Sequence, residues 1–90
     1  MECLWDEGKA ITSLAKHGIS FQEARTIFED PLYVDFYDPD HSHDERRYII
    51  IGESDKGRLL IVSYTERSGT IRLISARQVM ASERKAYEES

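Results

Sequence analysis

Two arginines, Arg72 and Arg77, sit inside the run Thr70-Ile71-Arg72-Leu73-Ile74-Ser75-Ala76-Arg77. Its β-branched and apolar residues, opened by the turn pair Ser68-Gly69, predict a β-strand. A guanidinium presents a fixed fork of donors that matches the oxygens of phosphate and carboxylate. Held on the rigid platform of a strand, several such groups could grip an RNA backbone. A flat strand puts positions 72 and 77 on opposite faces, because their separation is odd. A bulge, or a strand that stops near Ser75-Ala76, would bring them together. On spacing alone, the plainer reading is that these arginines are solvated or paired with the chain's many carboxylates. A second constellation is Asp38-Pro39-Asp40-His41-Ser42-His43-Asp44, where His-x-His flanked by aspartates offers ligands to a metal. The pattern is short and no second cluster supports it. The expectation is therefore an acidic loop or a partner contact, with no metal and no cofactor.

The balance of residues narrows the classes. Ninety residues make one domain, 1–90, with a modest core. A composition of 40% hydrophobic and 32% charged residues is that of a folded chain rather than a disordered one. No run approaches the roughly 18 apolar residues of a membrane span. Nothing at the N-terminus reads as a signal peptide, and the single Cys3 cannot form an internal disulfide, so the expected location is the cytoplasm. Cys3 itself reads as a small buried hydrophobe. A net charge of −5 argues against non-specific binding to nucleic acid. That charge is uneven: residues 1–57 hold 13 acidic and 6 basic side chains, residues 58–90 hold 4 and 6. The basic residues gather in the half with the arginine strand, and the acidic half can face a basic partner.

The elements that must position these groups follow from periodicity and punctuation. Asp6 is a good N-cap, and Ala10, Ile11, Leu14 and Ala15 recur at helical spacing, which predicts a helix over 7–17 that stops at Gly18. Ser20 and Glu23 have capping-box spacing, and Phe21, Ala24, Ile27 and Phe28 mark a second helix over 21–29, ended by Asp30-Pro31. Strands are predicted over 32–37, 46–52, 58–66 and 70–77, joined by short turns as in an antiparallel meander. Leu4-Trp5 reads as an edge strand or an anchor. The stretch from Gln78 to Glu89 looks helical, with Ser82 as its N-cap. The central runs Ile49–Ile51 and Leu59–Val62 lack alternation, so both of their faces should be covered. The expected fold is α+β: an N-terminal helical hairpin packed on a four-stranded antiparallel sheet, with a C-terminal helix. Leu14, Phe21, Ile27, Phe28, Ile49, Ile51, Leu60, Val62 and Leu73 are the expected core.

One family resemblance runs through nearly the whole chain. Trp5-Asp6 with Lys9, Lys16-His17-Gly18, Phe21 and Glu23-Ala24 come first. Asp38-Pro39-Asp40-His41-Ser42, Glu45-Arg46 and Gly52 follow, then Gly57-Arg58-Leu59-Leu60 and Thr65-Glu66-Arg67. Ile74-Ser75-Ala76-Arg77 with Ser82, Glu83-Arg84 and Tyr87-Glu88 come last. In this order they resemble the BrnT toxins of bacterial type II toxin–antitoxin systems. The resemblance implies a RelE-like fold and a metal-independent RNA endonuclease that inhibits translation. It also implies neutralisation by a BrnA-type antitoxin with a ribbon-helix-helix DNA-binding domain. The pair would form a heterotetramer and reach operator DNA only through the antitoxin. The alternative is a non-catalytic chain that binds the antitoxin and serves as a co-repressor.

Metal-free RNA cleavage needs a base for the 2′-hydroxyl, cations for the phosphorane and an acid for the leaving oxygen. Under the resemblance His17 is the acid/base candidate, since histidine titrates near neutrality. The plain alternative is a histidine that caps the end of the first helix. Arg77 and Arg67 are the expected catalytic cations and Arg72 an expected phosphate contact, while Lys16 either holds phosphate or is simply solvated. Tyr64 either stacks a base or donates a proton, or is a core tyrosine with its hydroxyl at the rim. Glu83 and Arg84 form a surface pair or close over the site. If His17, Arg67 and Arg77 scatter rather than share one cleft, the co-repressor alternative gains.

Overall fold

The computed structural model describes residues 2–89. In chain order the elements are β1 (Glu2–Trp5), α1 (Glu7–His17), α2 (Phe21–Ala24), β2 (Val34–Asp38), β3 (Arg47–Glu53), β4 (Leu59–Arg67), β5 (Thr70–Gln78) and α3 (Ala81–Glu88). Two 3₁₀ turns, Arg25–Glu29 and Pro39–His41, follow α2 and β2. The strands form one five-stranded sheet of order β1-β5-β4-β3-β2.

The expected four-stranded antiparallel sheet is thus corrected to a mixed five-stranded one. β2 to β5 make the antiparallel meander. Glu2–Trp5 adds as a fifth strand, parallel to β5. Parallel pairing needs a long crossover, and here residues 6–72 intervene between Trp5 and its partner Leu73.

One face of the sheet is covered by the N-terminal elements. Ile19, Phe21, Ala24 and Ile27 pack with Ile50, Leu60, Val62, Leu73 and Ala76, all with no exposed surface. Trp5 meets Phe21 edge to face at 5.9 Å. β3 passes so close to the 3₁₀ turn that a Cβ on Gly52 would lie 3.0 Å from the carbonyl oxygen of Ile27. Any larger residue would push the two apart, which accounts for glycine in a strand interior.

The hairpin is less regular than periodicity predicts. The helix expected over 21–29 is a single α turn followed by 3₁₀. The Thr26 hydroxyl donates to the Glu23 carbonyl at 2.7 Å and competes for an acceptor in that turn. Ser20 caps α2 by accepting from the Glu23 N–H. The reciprocal half of the capping box is missing, because the Glu23 carboxylate turns inward. It accepts from the Ser54 hydroxyl and from both sides of the Arg58 guanidinium.

α1 buries a different stripe from the expected one. Ala10 and Ser13 face inward, whereas Leu14 is 48% and Ile11 64% exposed. The reason is a backbone need. Beyond Leu73, β5 has no β1 beside it, and the Ser13 hydroxyl donates to the Ala76 carbonyl and accepts from the Ala76 N–H. One serine thereby serves two edge groups that would otherwise be left unpaired. Phe28 and Ile49 are only half-buried, at the margin of the core. α3 starts at Ala81 with Met80, not Ser82, as its N-cap residue.

β5 carries the feature on which the site depends. Ser63 pairs with Ser75, but Tyr64 pairs with Leu73, so Ile74 is an extra residue. This β-bulge resets the alternation. Leu73 and Ala76 both point to the covered face, while Arg72 and Arg77 both lie on the other.

Candidate functional site

The face opposite α1 and α2 is open and polar over part of its area, and α3 borders it through Glu83. The β2–β3 register places Asp38 beside Arg47, and the β4–β5 register places Ser63 beside Ser75 and Ile61 beside Arg77. These residues, with Ile49, Ile74, His41 and Glu83, line a groove of about 360 Å³.

His41 enters this groove because β2 ends in a 3₁₀ turn. The turn brings residue 41 back onto residue 38, and the His41 Nδ1 lies 2.9 Å from an Asp38 carboxylate oxygen. The carboxylate can only accept, so it selects the tautomer with the proton on Nδ1 and leaves Nε2 free to take a proton. Ser42 steadies the loop by donating to the Asp38 carbonyl and accepting from the Arg47 N–H at 2.9 Å. Arg47 lines the groove and its guanidinium has no ion-pair partner among the described residues.

Arg77 is engaged differently. Its two terminal nitrogens donate to the two Glu83 oxygens at 2.8 and 2.7 Å, and one of them also reaches the Gln78 carbonyl. Glu83 further accepts from the Met80 N–H at 2.8 Å. The Arg77 hydrogen bonds hold the Glu83 carboxyl below the usual carboxylate range, and the same bonds raise Arg77. α3 is also tied to Asp30, which accepts from the Tyr87 hydroxyl at 2.6 Å. That bond pushes the Tyr87 hydroxyl up to about 12.

The three residues expected to be catalytic do not share a cleft. Arg77 lines the groove just described. His17 lines a neighbouring groove of about 560 Å³ with Lys9, Lys16, Ile74 and Ser75. Arg67 lines a third with Lys9, Thr65 and Arg72, and pairs with Glu45 at 3.6 Å. The grooves adjoin, however. The first two share Ile74 and Ser75 at the bulge, and the last two share Lys9. Lys9, Lys16 and Arg72 have no ion-pair partner among the described residues, so free positive charge borders the open face.

Tyr64 lies on the covered face. It stacks on Tyr48 at 5.5 Å, meets Phe28 edge to face, and donates its hydroxyl to Asp35 at 3.1 Å. Burial, and then the Asp35 charge, push that hydroxyl up. Of the two readings of Tyr64, its position is that of the core tyrosine. Arg84 is exposed on α3, 4.0 Å from Glu88, and does not line the groove that Glu83 enters. Among the described residues no group of three or more metal-ligating side chains converges, His41 and His43 included. Cys3 is half-buried, and burial raises its thiol.

Sequence reasoning passed over Asp38, His41 and Arg47 as a set. The usable signal was local: an aspartate closing a strand, a proline, and a histidine three positions on, with an arginine opening the next strand.

Comparison with known proteins agrees with this architecture. The model of the family described as ribonuclease toxin, BrnT, of type II toxin–antitoxin systems matches residues 5–83. The 1.1 Å crystal structure of the Brucella abortus ribonuclease toxin BrnT shares the fold, with a TM-score of 0.64 at 24% identity, covering 89% of this chain and 97% of that one. No curated protein matches the chain.

Proposed function

The chain belongs to the BrnT family of ribonuclease toxins of type II toxin–antitoxin systems, and from that premise we propose that it is an RNA endonuclease whose reacting centre is the groove of Asp38, His41, Arg47 and Arg77. The observation that carries this reading is a histidine oriented by a carboxylate in a groove that two arginines also line. It is the set of parts that metal-free cleavage of a phosphodiester requires.

In the proposed reaction the neutral His41 Nε2 takes the proton of a ribose 2′-hydroxyl. The oxygen attacks the adjacent phosphorus, Arg47 and Arg77 hold the two phosphoryl oxygens, and the phosphorane charge develops against them. The bond to the 5′ oxygen then breaks, and that oxygen takes a proton from the imidazolium. The products are a 2′,3′-cyclic phosphate and a 5′-hydroxyl end. Asp38 is a positioning residue, holding the tautomer. Glu83 keeps Arg77 in place, and its fork must be shared or yielded when phosphate arrives. Lys16, His17, Arg67 and Arg72 border the same face and are placed to follow the flanking RNA backbone rather than to break it.

A type II system implies an antitoxin partner. We place its finer features here as well: a BrnA-like ribbon-helix-helix protein, a heterotetramer, and contact with operator DNA only through the antitoxin. Inhibition of translation by RNA loss would place the chain in the cytoplasm. Among the described residues no helix is long and apolar enough to cross a membrane.

The co-repressor alternative is favoured by two observations. His17, Arg67 and Arg77 line three grooves, and Arg77 already has its fork filled. The deciding experiment is cleavage of a labelled RNA by purified protein from about pH 5.5 to 8.5, with His41→Asn, Arg47→Ala and His17→Gln as variants. Loss of activity in the first two, with residual cleavage in the third, supports the groove. Wild-type cleavage by His41→Asn would remove His41 from the reaction. A wild-type chain that leaves RNA intact would leave the co-repressor reading.

A further inference from the structure

β2 ends the sheet, and no described strand lies beyond Val34–Asp38. Such an edge presents a row of backbone N–H and C=O groups that can pair with an added strand. Folded chains usually protect their edges, but here the protection is thin. Four of the largest exposed apolar side chains cluster on and just before β2: Leu32 at 68%, Tyr33 at 44%, Phe36 at 44% and Tyr37 at 52% exposed. Phe36 shares the open face with Ile49, while Tyr37 lies on the other face, its ring 6.0 Å from that of Tyr48. A strand laid along β2 would therefore meet apolar contact on both of its faces.

Charge says what kind of strand it would be. Residues 29–45 contain seven acidic side chains and no lysine or arginine. Asp30, Asp35 and Asp38 have partners within the chain, but Glu29, Asp40 and Asp44 have none among the described residues. A second copy of the chain would bring the same acids against each other, and like charges across a strand pair are destabilising. RNA would be repelled for the same reason. The fitting occupant is a polypeptide segment in which apolar residues alternate with lysine or arginine.

We infer that β2 is the docking edge for the antitoxin, which adds a basic, apolar strand along Val34–Asp38. This rests on the reading of the chain as one half of a toxin–antitoxin pair. The added strand would run to Asp38, at the mouth of the His41 groove, so the contact that gives affinity would also bring the antitoxin beside the proposed reacting centre.

The test uses the full chain co-purified with the antitoxin encoded beside its gene. Backbone hydrogen exchange in the free chain and in the complex should show at least about tenfold slower exchange over Val34–Asp38 in the complex. Glu29→Lys with Asp40→Lys should slow association about tenfold at low salt, and the difference should shrink as salt rises. Tyr33→Lys should speed dissociation, because it removes an apolar contact beside the edge. A complex that forms while exchange over β2 stays unchanged overturns the inference and leaves the toxin–antitoxin reading standing. Equal protection in a dimer of the chain alone also overturns it, in favour of a second copy. If the wild-type chain forms no complex at all, both the reading and the inference fall.

Discussion

On the side of the sheet that α1 and α2 cover, Ile50, Leu60, Val62 and Leu73 have no exposed surface. On the other side of the same strands, Arg47, Ser63, Ser75 and Arg77 line an open groove. Neighbouring residues on one strand thus belong to different environments, and the pleat alone separates them. The covered face is held by apolar burial and one internal ion pair, Glu23 with Arg58. The open face holds charges in pairs that are partly wet, Arg67 with Glu45 and Arg77 with Glu83, beside the His41–Asp38 hydrogen bond. Damage to the first should therefore register as lost stability, and damage to the second as lost activity. The bulge at Ile74 is where the two meet, since it turns one more arginine toward the groove without exposing Leu73 or Ala76.

The sharpest break of this contrast is Phe21→Ala. Phe21 is fully buried under Trp5, and truncation should cost about 3–5 kcal/mol in urea unfolding. A loss below about 1 kcal/mol would mean that the covered face is not what holds the fold. Next comes Arg47→Ala, expected to slow RNA cleavage by about a hundredfold or more while the melting temperature stays within a few degrees of wild type. Arg77→Ala should lose comparable activity, and Arg77→Lys should not recover it, because lysine lacks the two-pronged fork. If either arginine can be removed without loss of rate, the open face is solvated surface and no more.

Acid should act on both faces, and unequally. The Arg58 hydrogen bonds hold the Glu23 carboxyl below its usual range, as those of Arg77 hold Glu83. A depressed carboxyl contributes stability above its unfolded pKa and loses it as pH falls through the folded value. Melting temperature should therefore decline below the ordinary carboxylate range. Glu23→Gln should flatten that decline more than Glu83→Gln does, because Glu23 is almost fully buried whereas the Arg77–Glu83 pair is partly exposed. Equal flattening by the two would erase the distinction between a buried carboxylate and a partly exposed one. The smallest effect is expected from Ile11→Ser and Leu14→Ser, each within about 0.5 kcal/mol of wild type. Both residues point outward from α1. A loss of 2 kcal/mol or more for Leu14→Ser, about what a core leucine costs, would put back the helix face that periodicity suggested.

Much was legible before any coordinates, and what was legible is local. Asp6 and Ser20 cap their helices, Gly18 closes α1, and the four strand runs of the meander lie where β-branched and apolar runs between turn residues placed them. The long series of short motifs also pointed to the BrnT family. These features depend on side chains within a few positions of one another, and short-range chemistry is written in order along the chain. Tertiary structure decided the rest. Glu2–Trp5 became a strand because β5 had a free edge for it. α1 turned Ser13 inward and Leu14 outward because Ala76, 63 positions away, needed a hydrogen-bond partner. Arg72 and Arg77 came to one face through a single extra residue in the β4–β5 register. His41 and Arg77 came to line one groove from two different hairpins. Each of these is a contact between distant segments, set by which edges and backbone groups were still unsatisfied once the local elements had formed, and no window of neighbouring residues contains that information.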